Sequence, residues 1–159
     1  MLSTPDTNKI YDYVLKFYSI RPRSKKELLD WFKRKNVEQE TQETITQKLE
    51  HLNLINDEEF ARWWVEQRTN YRHSGFRLIK MELRQKGVSD EIISGIESRV
   101  SSISELESAR KIVEKKLKTF ILSEVEGPNP RNTLTGLLAR RGFSWETIKT
   151  VVDEVFKKE

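Results

Sequence analysis

Residues 76–88 read FRLIKMELRQKGV, and this stretch decides the fold. Ile79 and Leu83 lie four residues apart, so on a helix both side chains share one face and form a buried stripe. Lys86 falls in the last turn, where the helix dipole stabilises a cation. Gly87 comes next, and glycine readily adopts the left-handed conformation in which many helices end. The stretch therefore predicts a helix, a sharp stop and a second helix directly after it.

The same phrase occurs three times along the chain. Its apolar pair is always four residues apart, with a basic residue three positions after the second member and Gly or Asn next. Successive copies are 51 and 55 residues apart, which is too long for 34-residue two-helix repeats and fits three short helices per unit. The copies are Leu28, Phe32, Lys35, Asn36 and Val37; Ile79, Leu83, Lys86, Gly87 and Val88; and Leu134, Leu138, Arg141, Gly142 and Phe143.

Helix start signals divide the chain in the same way. Ser24, Asn56 and Ser104 each precede a glutamate by three positions, as in a capping box, while Ser89 and Ser144 are simpler caps. No segment of the sequence has the alternating pattern of a strand. Together these signals predict nine helices, over residues 7–19, 24–35, 39–52, 57–71, 75–86, 89–99, 104–122, 131–141 and 144–158.

These patterns predict an all-α protein of three tandem three-helix repeats that form an elongated, curved array. The units are expected at residues 1–53, 54–100 and 101–159. Each unit would bury its own apolar pairs in a small core. This arrangement suits the composition, because 36% hydrophobic and 34% charged residues cannot fill one deep core.

The composition also excludes several classes of protein. No uninterrupted apolar run exceeds three residues, whereas a membrane helix needs about 20, so we expect no membrane partner. The absence of cysteine excludes disulfides and thiolate metal sites and is compatible with a cytoplasmic location. Two histidines, no His-x-x-x-His pair and no glycine-rich phosphate loop leave no signature of an active site. We therefore expect no catalytic residues, no metal site and no cofactor.

Charge is sorted along the chain more strongly than the net charge of +4 suggests. Residues 38–59 carry a net charge of −6, and residues 62–86 carry +5. Within the basic segment, Arg77, Lys80 and Arg84 fall on one side of a helix, beside its apolar stripe. Such a basic stripe could bind an acidic protein surface or DNA phosphates. The alternative is an ordinary solvated helix face.

The candidate binding residues extend beyond this stripe. Arg68 and Arg72 lie four apart on the preceding helix, where pairing with acids such as Glu66 or Glu82 is the alternative to binding. The basic clusters at 115–118 and 140–141 are secondary candidates. The full set of partner- or nucleic-acid-binding candidates is Lys26, Lys33, Arg68, Arg72, Arg77, Lys80, Arg84, Lys86 and Arg140.

Aromatic residues supply much of the expected core. Phe60, Trp64 and Tyr71 share one face of their predicted helix and are expected to be buried. Trp145 lies near a predicted helix start and is expected to be partly exposed, where a ring could stack on unpaired bases or anchor a protein interface.

The chain resembles the RecX family of recombinase regulators over about residues 8–158. The resemblance is strongest in the second unit, in LINDEEFAR at 54–62, Arg68 and GFRLIKMELRQKGV at 75–88. It extends to the third unit through LARRGFS at 138–144 and Ile148. The sequence departs from the family pattern in four places. Phe76 stands where the family usually has proline, Asn36 and Asn53 replace usual glycines, and Gln42 replaces an aliphatic residue.

The resemblance implies a three-unit, all-helical regulator that binds filaments of the bacterial recombinase RecA on single-stranded DNA. We expect the protein to be a monomer. Its binding would inhibit the ATPase and strand-exchange activities of RecA and so modulate recombination and DNA repair. Single-stranded DNA would be contacted directly or through the filament. A second hypothesis comes from the residues themselves, because the helix, sharp turn and helix around Gly87 also suit a helix-turn-helix DNA-binding protein.

Overall fold

The structure, a computed structural model, describes residues 5–100, 102–122 and 127–157. These residues form nine helices and no strand, and every helix lies within two residues of its predicted bounds. The all-α prediction is confirmed. The helices are α1 (Pro5–Ile20), α2 (Lys25–Arg34), α3 (Gln39–His51), α4 (Asp57–Asn70), α5 (Phe76–Gln85), α6 (Asp90–Glu97), α7 (Ser102–Leu122), α8 (Pro130–Arg140) and α9 (Trp145–Phe156).

Four of the five predicted start signals cap a helix. Ser24 forms a complete capping box with Glu27, while Asn56, Ser89 and Ser144 each accept a hydrogen bond from a backbone N–H of the first turn. The assignment of Ser104 was wrong, because α7 already begins at Ser102. Several serines in this stretch are suitable caps, so spacing alone could not select the correct start.

The recurring phrase ends its helix in the same way each time. Asn36, Gly87 and Gly142 have φ values of 51°, 78° and 82°, as predicted for the left-handed stop. In each copy the N–H of the next residue donates to the carbonyl of the second apolar residue, as Val88 does to Leu83 at 3.0 Å. This bond pattern is the Schellman motif, in which an apolar residue after the stop folds back onto the helix. The second apolar residue of the phrase therefore serves both the core and the helix end.

Each successive group of three helices has its own hydrophobic cluster. The first gathers around Phe32 and Leu49, the second around Phe60 and Leu83, and the third around Leu138, Phe143 and neighbouring aliphatic residues. Three tandem three-helix units are therefore present. The unit limits at 1–53, 54–100 and 101–159 remain a proposal: Ile55 packs against the first cluster, and residue 101 lies outside the described residues.

The units meet through the starts of their second helices. At the first junction, the N–H of Lys25 donates to Asp57 Oδ1 at 2.8 Å, and Gly87 packs against the side chain of Lys26. At the second junction, the N–H of Gly75 donates to the carbonyl of Arg141 at 2.8 Å. The sharp turn of one unit thus rests on the first turn of α2 or α5 in the unit before it.

Gly87 allows a test of the first junction. We expect Gly87→Val to lower the free energy of unfolding by about 2 kcal/mol, because a β-branched residue is strained at positive φ. A Cβ there would also lie 2.7 Å from the Cβ of Lys26. Gly87→Asn is the control, since asparagine occupies the same conformation at Asn36, and it should lose clearly less stability in urea denaturation. Equal losses for both variants would contradict a role for backbone strain.

Candidate partner-binding surface

The predicted basic stripe lies on α5, but only part of its charge is available to a partner. Lys80 donates to Glu97 at 2.9 Å and Arg84 to Asp90 at 2.7 Å, so both are paired with acids of α6. Arg77 is exposed and pairs with no acidic side chain among the described residues. Arg77 is therefore the stripe residue best placed to meet an anionic surface.

Arg68 stabilises the packing of α4 against α5. Its guanidinium donates to Glu82 at 2.7 Å and lies over the ring of Trp64, 4.4 Å from the ring centre. The indole N–H of Trp64 donates to the same carboxylate at 2.9 Å. With 18% of its side chain exposed, Arg68 offers little surface to a partner. The structure thus places it in the intramolecular pairing with Glu82 that the sequence left as the alternative.

Lys86 belongs to a charged cluster that joins the first two units. The carboxylate of Glu27 accepts hydrogen bonds from Arg21 at 2.6 and 3.2 Å, Lys86 at 3.0 Å and the N–H of Ser24 at 3.1 Å. Burial favours the neutral form of this carboxyl, but the hydrogen bonds outweigh it and lower the pKa of Glu27 to about 2. Lys86 is therefore held by the fold, although 31% of its side chain reaches solvent.

Of the two candidates in the first unit, Lys26 is paired with a described acid and Lys33 is not. Lys26 forms an i,i+4 ion pair with Asp30 at 3.0 Å, and this pairing lowers the pKa of the Asp30 carboxyl. Lys33 is exposed beside a shallow groove between α2 and α3 and has no ion-pair partner among the described residues. Its charge is available, but Lys33 is far along the chain from the candidates near the second junction.

Arg72 and Arg140 lie close to the second junction. Both are exposed, and neither guanidinium pairs with an acid in the described part of the chain. The backbone carbonyl of Arg72 accepts a hydrogen bond from Arg141 at 2.6 Å, while Gly142 packs against Leu78 of α5. Arg140 is far from Arg72 and Arg77 in sequence, but each of the three lies at the second junction or next to a residue that forms it.

A cleft of about 690 Å³ opens beside this junction, between the end of α4 and α7. The primary candidates included Arg68 and Arg72 from its lining but omitted the lysines of α7 and Arg141. The expectation that Tyr71 is buried was wrong: it lines the cleft and is 75% exposed, because α4 ends at Asn70 and the turn leads the ring away from the core. The cleft is lined by Arg68, Tyr71, Arg72, His73, Ser74, Glu82, Lys111, Ile112, Lys115, Lys116, Thr119, Leu137 and Arg141.

Neither a metal-binding cluster nor a membrane-spanning helix is present among the described residues. No group of three or more histidine, aspartate and glutamate side chains there could hold a metal ion. None of the helices in those ranges is long and apolar enough to cross a membrane.

Comparison with known proteins shows which family has this architecture. A model of the second three-helix domain of RecX matches residues 56–95. The regulatory protein RecX of Prosthecochloris aestuarii is 32% identical over 154 residues, which cover 97% of this chain and 98% of that protein. The regulatory protein RecX of Amycolatopsis mediterranei is 34% identical over 140 residues, covering 88% of this chain and 79% of that protein. This chain belongs to the RecX family.

Solved structures of RecX proteins have the same fold. The crystal structure of RecX from Lactobacillus salivarius superposes with a TM-score of 0.77 at 27% identity, covering 94% of this chain and 96% of that one. A second RecX crystal structure, 23% identical, has the same TM-score over 92% of this chain. The three tandem helical units described above are thus the RecX fold, and the family is one of regulatory proteins by name.

One departure from the RecX pattern lies beside the candidate surface. Phe76 is the first residue of α5, a position where proline is well suited because it needs no N–H donor. The phenylalanine instead packs against the second hydrophobic cluster. In this RecX chain the start of α5 is therefore held by side-chain packing next to the exposed Arg77.

Proposed function

We propose that this chain binds the RecA recombinase filament on single-stranded DNA and inhibits its ATPase and strand-exchange activities. Membership of the RecX family supports a regulatory role. The observation that carries the surface assignment is that Arg77 and Arg140 flank one junction, are exposed and pair with no described acid. Modulation of recombination and DNA repair, a monomeric state and a cytoplasmic location are parts of the same proposal.

The mechanism follows from the architecture. Tandem repeats present an extended surface with little core, so contacts can be distributed over several filament subunits. A protein that is bound across adjacent RecA subunits favours the one arrangement of these subunits that it binds best. It therefore opposes the changes in filament conformation that ATP turnover and strand exchange require. The proposed contacts are electrostatic and involve mainly Arg77 and Arg140, with Arg72 and Lys33 as further contributors.

The ATPase of a RecA filament on single-stranded DNA tests this proposal. We expect Arg77→Glu with Arg140→Glu to require at least about tenfold more protein for half-inhibition, since reversing two interface charges costs about 1.4 kcal/mol or more. Lys16→Glu with Lys149→Glu is the matched control, because both lysines are exposed elsewhere and the net charge changes equally. Circular dichroism would verify that both variants are helical. Unchanged inhibition by a folded Arg77/Arg140 variant would refute the assigned surface.

The helix-turn-helix hypothesis finds little support in the charges of the helices concerned. In such a protein the helix after the sharp turn enters the major groove, and here that helix is α3, α6 or α9. Each of these helices carries three acidic residues and at most one lysine or arginine. Acidic helices are repelled by DNA phosphates, so recognition of the major groove is not the function that this geometry favours.

A further inference from the structure

The cleft between α4 and α7 carries a charge that is not neutralised within the fold. Its lining contains six lysine or arginine side chains and one carboxylate, that of Glu82. Glu82 already accepts hydrogen bonds from Arg68 and Trp64. The amines of Lys111 and Lys115 and the guanidinium of Arg72 have no ion-pair partner in the described ranges. The cleft is therefore strongly cationic before any ligand binds.

Three lysines of α7 line the cleft, Lys111, Lys115 and Lys116. Lys111 and Lys115 are four residues apart on one face of the helix, where like charges repel each other, and Glu107, one turn before Lys111, offsets only part of this repulsion. Their neighbour Arg110 shows the usual solution, since it forms two hydrogen bonds with Glu154 at 2.7 and 2.9 Å. A repulsive pair facing a cleft indicates a site for an anionic ligand.

Tyr71 narrows the class of ligand. Its ring is 75% exposed at the rim of the cleft, beside the cationic side chains. An exposed aromatic ring next to a basic groove is the arrangement by which proteins bind single strands, because bases stack on the ring while cations follow the phosphates. Proteins that read double-stranded DNA instead insert a protruding helix or β-ribbon into the major groove, and a concave cleft has no such element.

We infer that this cleft binds single-stranded nucleic acid directly, with Arg72, Lys111 and Lys115 contacting phosphates and Tyr71 stacking on a base. The site is held in shape by the second junction, where Arg141 donates to the carbonyl of Arg72 and accepts from the N–H of Gly75. The inference goes beyond the proposed function, because it requires no recombinase. An acidic protein segment is the competing ligand for the same charges.

The test uses the full chain and a fluorescent oligothymidine of about 16 nucleotides, the upper end of one single-strand site. Binding is followed by anisotropy without recombinase, over a range of salt concentrations. We expect Lys111→Glu with Lys115→Glu to weaken binding about tenfold or more and to make the salt dependence shallower by about 1.4 log units per log unit of salt. Lys16→Glu with Lys149→Glu, which makes the same change in charge outside the cleft, should bind as the parent chain does.

Tyrosine substitutions test the stacking contact separately. Tyr71→Ala should weaken oligothymidine binding about fivefold or more without changing the salt dependence, whereas Tyr71→Phe should retain affinity because the ring is kept. Tyr71 is exposed at the end of α4, so neither change removes a core contact.

The possible outcomes separate this inference from the proposed function. Equal binding of the oligothymidine by the Lys111/Lys115 variant and its control would overturn the inference. So would tighter binding of a duplex of the same length. If the Lys111/Lys115 variant binds the oligothymidine normally but inhibits the RecA ATPase poorly, the cleft meets an acidic protein surface and the nucleic-acid assignment is wrong. Loss of oligothymidine binding with normal ATPase inhibition would support the inference alone.

Discussion

Replacing Gly142 with alanine is expected to lower the free energy of unfolding by about 3 kcal/mol or more. Gly142 has a φ of 82°, a conformation that costs a residue with a Cβ about 1–2 kcal/mol. A Cβ there would also lie 2.4 Å from both the Cβ and the backbone nitrogen of Leu78. Because part of this obstacle is helix backbone, the second junction must open to relieve it, and overpacking of this kind costs about 1–3 kcal/mol more.

Urea denaturation of the full chain measures this effect, and Gly95 provides the control. Gly95 lies inside α6 with nothing within 4 Å of an added Cβ, so Gly95→Ala should stabilise the protein by about 0.5–1 kcal/mol. Gly75→Ala isolates the steric part, because Gly75 has a φ of −72° but would place its Cβ 2.3 Å from the carbonyl oxygen of Gly142. It should destabilise by about 1–3 kcal/mol.

Hydrogen exchange locates the damage. The N–H of Gly75 donates to Arg141 across the second junction, so its exchange should accelerate in Gly142→Ala. The N–H of Gly87 donates to Arg84 within the second unit and should be less affected. Unchanged exchange at Gly75 together with wild-type stability would show that the close packing of Gly142 on Leu78 does not hold the units together.

Neutralising Glu27 is expected to be the second most damaging change. Glu27→Gln keeps a side chain that can complete the capping box but removes the charge shared by Arg21 and Lys86. We expect a loss of about 2 kcal/mol at pH 7, after allowing for solvent screening of the partly exposed Arg21 and Lys86. Glu27→Ala should lose about 1 kcal/mol more, because it also removes the hydrogen bond to the N–H of Ser24.

The pH dependence identifies the charge as the cause. The pKa of Glu27 is lowered from 4.5 to about 2 in the folded protein, so its contribution is complete above about pH 4.5 and is lost as the pH falls towards 2. Stability measured by urea denaturation should therefore fall less between pH 5 and pH 3 in Glu27→Gln than in the parent chain. Glu114→Gln changes an exposed acid of α7 and should leave this dependence intact. Parallel pH profiles for Glu27→Gln and the parent would contradict the assigned role.

Local chemistry explains why most of the fold could be predicted. Helix ends depend on a few neighbouring residues, so Gly87 and Gly142 marked stops that the structure contains. The same holds for the caps at Ser24 and Ser144. At Ser104 the prediction was wrong because α7 begins two residues earlier, at Ser102, and several neighbouring serines have the chemistry of a cap.

The candidate site was harder to predict because availability of charge depends on other helices. Periodicity placed Arg77, Lys80 and Arg84 on one side of a helix, but it could not reveal that acids of α6 face two of them. Periodicity also could not predict that α7 lies beside the turn after α4. Lys111 was therefore missed, although its i,i+4 spacing with Lys115 was a signal that a search for like-charge pairs could have found.

Sequence patterns alone were enough to predict the three helical units, their order and their small separate cores. They were enough because helix periodicity, caps and left-handed stops act over a few residues, and each recurring apolar pair buries itself locally. Which cations lack an acidic partner depends instead on the tertiary packing of the helices. Ion pairs such as Lys86 with Glu27, and the cleft between α4 and α7, join residues dozens of positions apart. Their geometry depends on how the units pack: Gly75 and Gly142 allow two backbone segments to approach closely, and Gly87 lies against the side chain of Lys26.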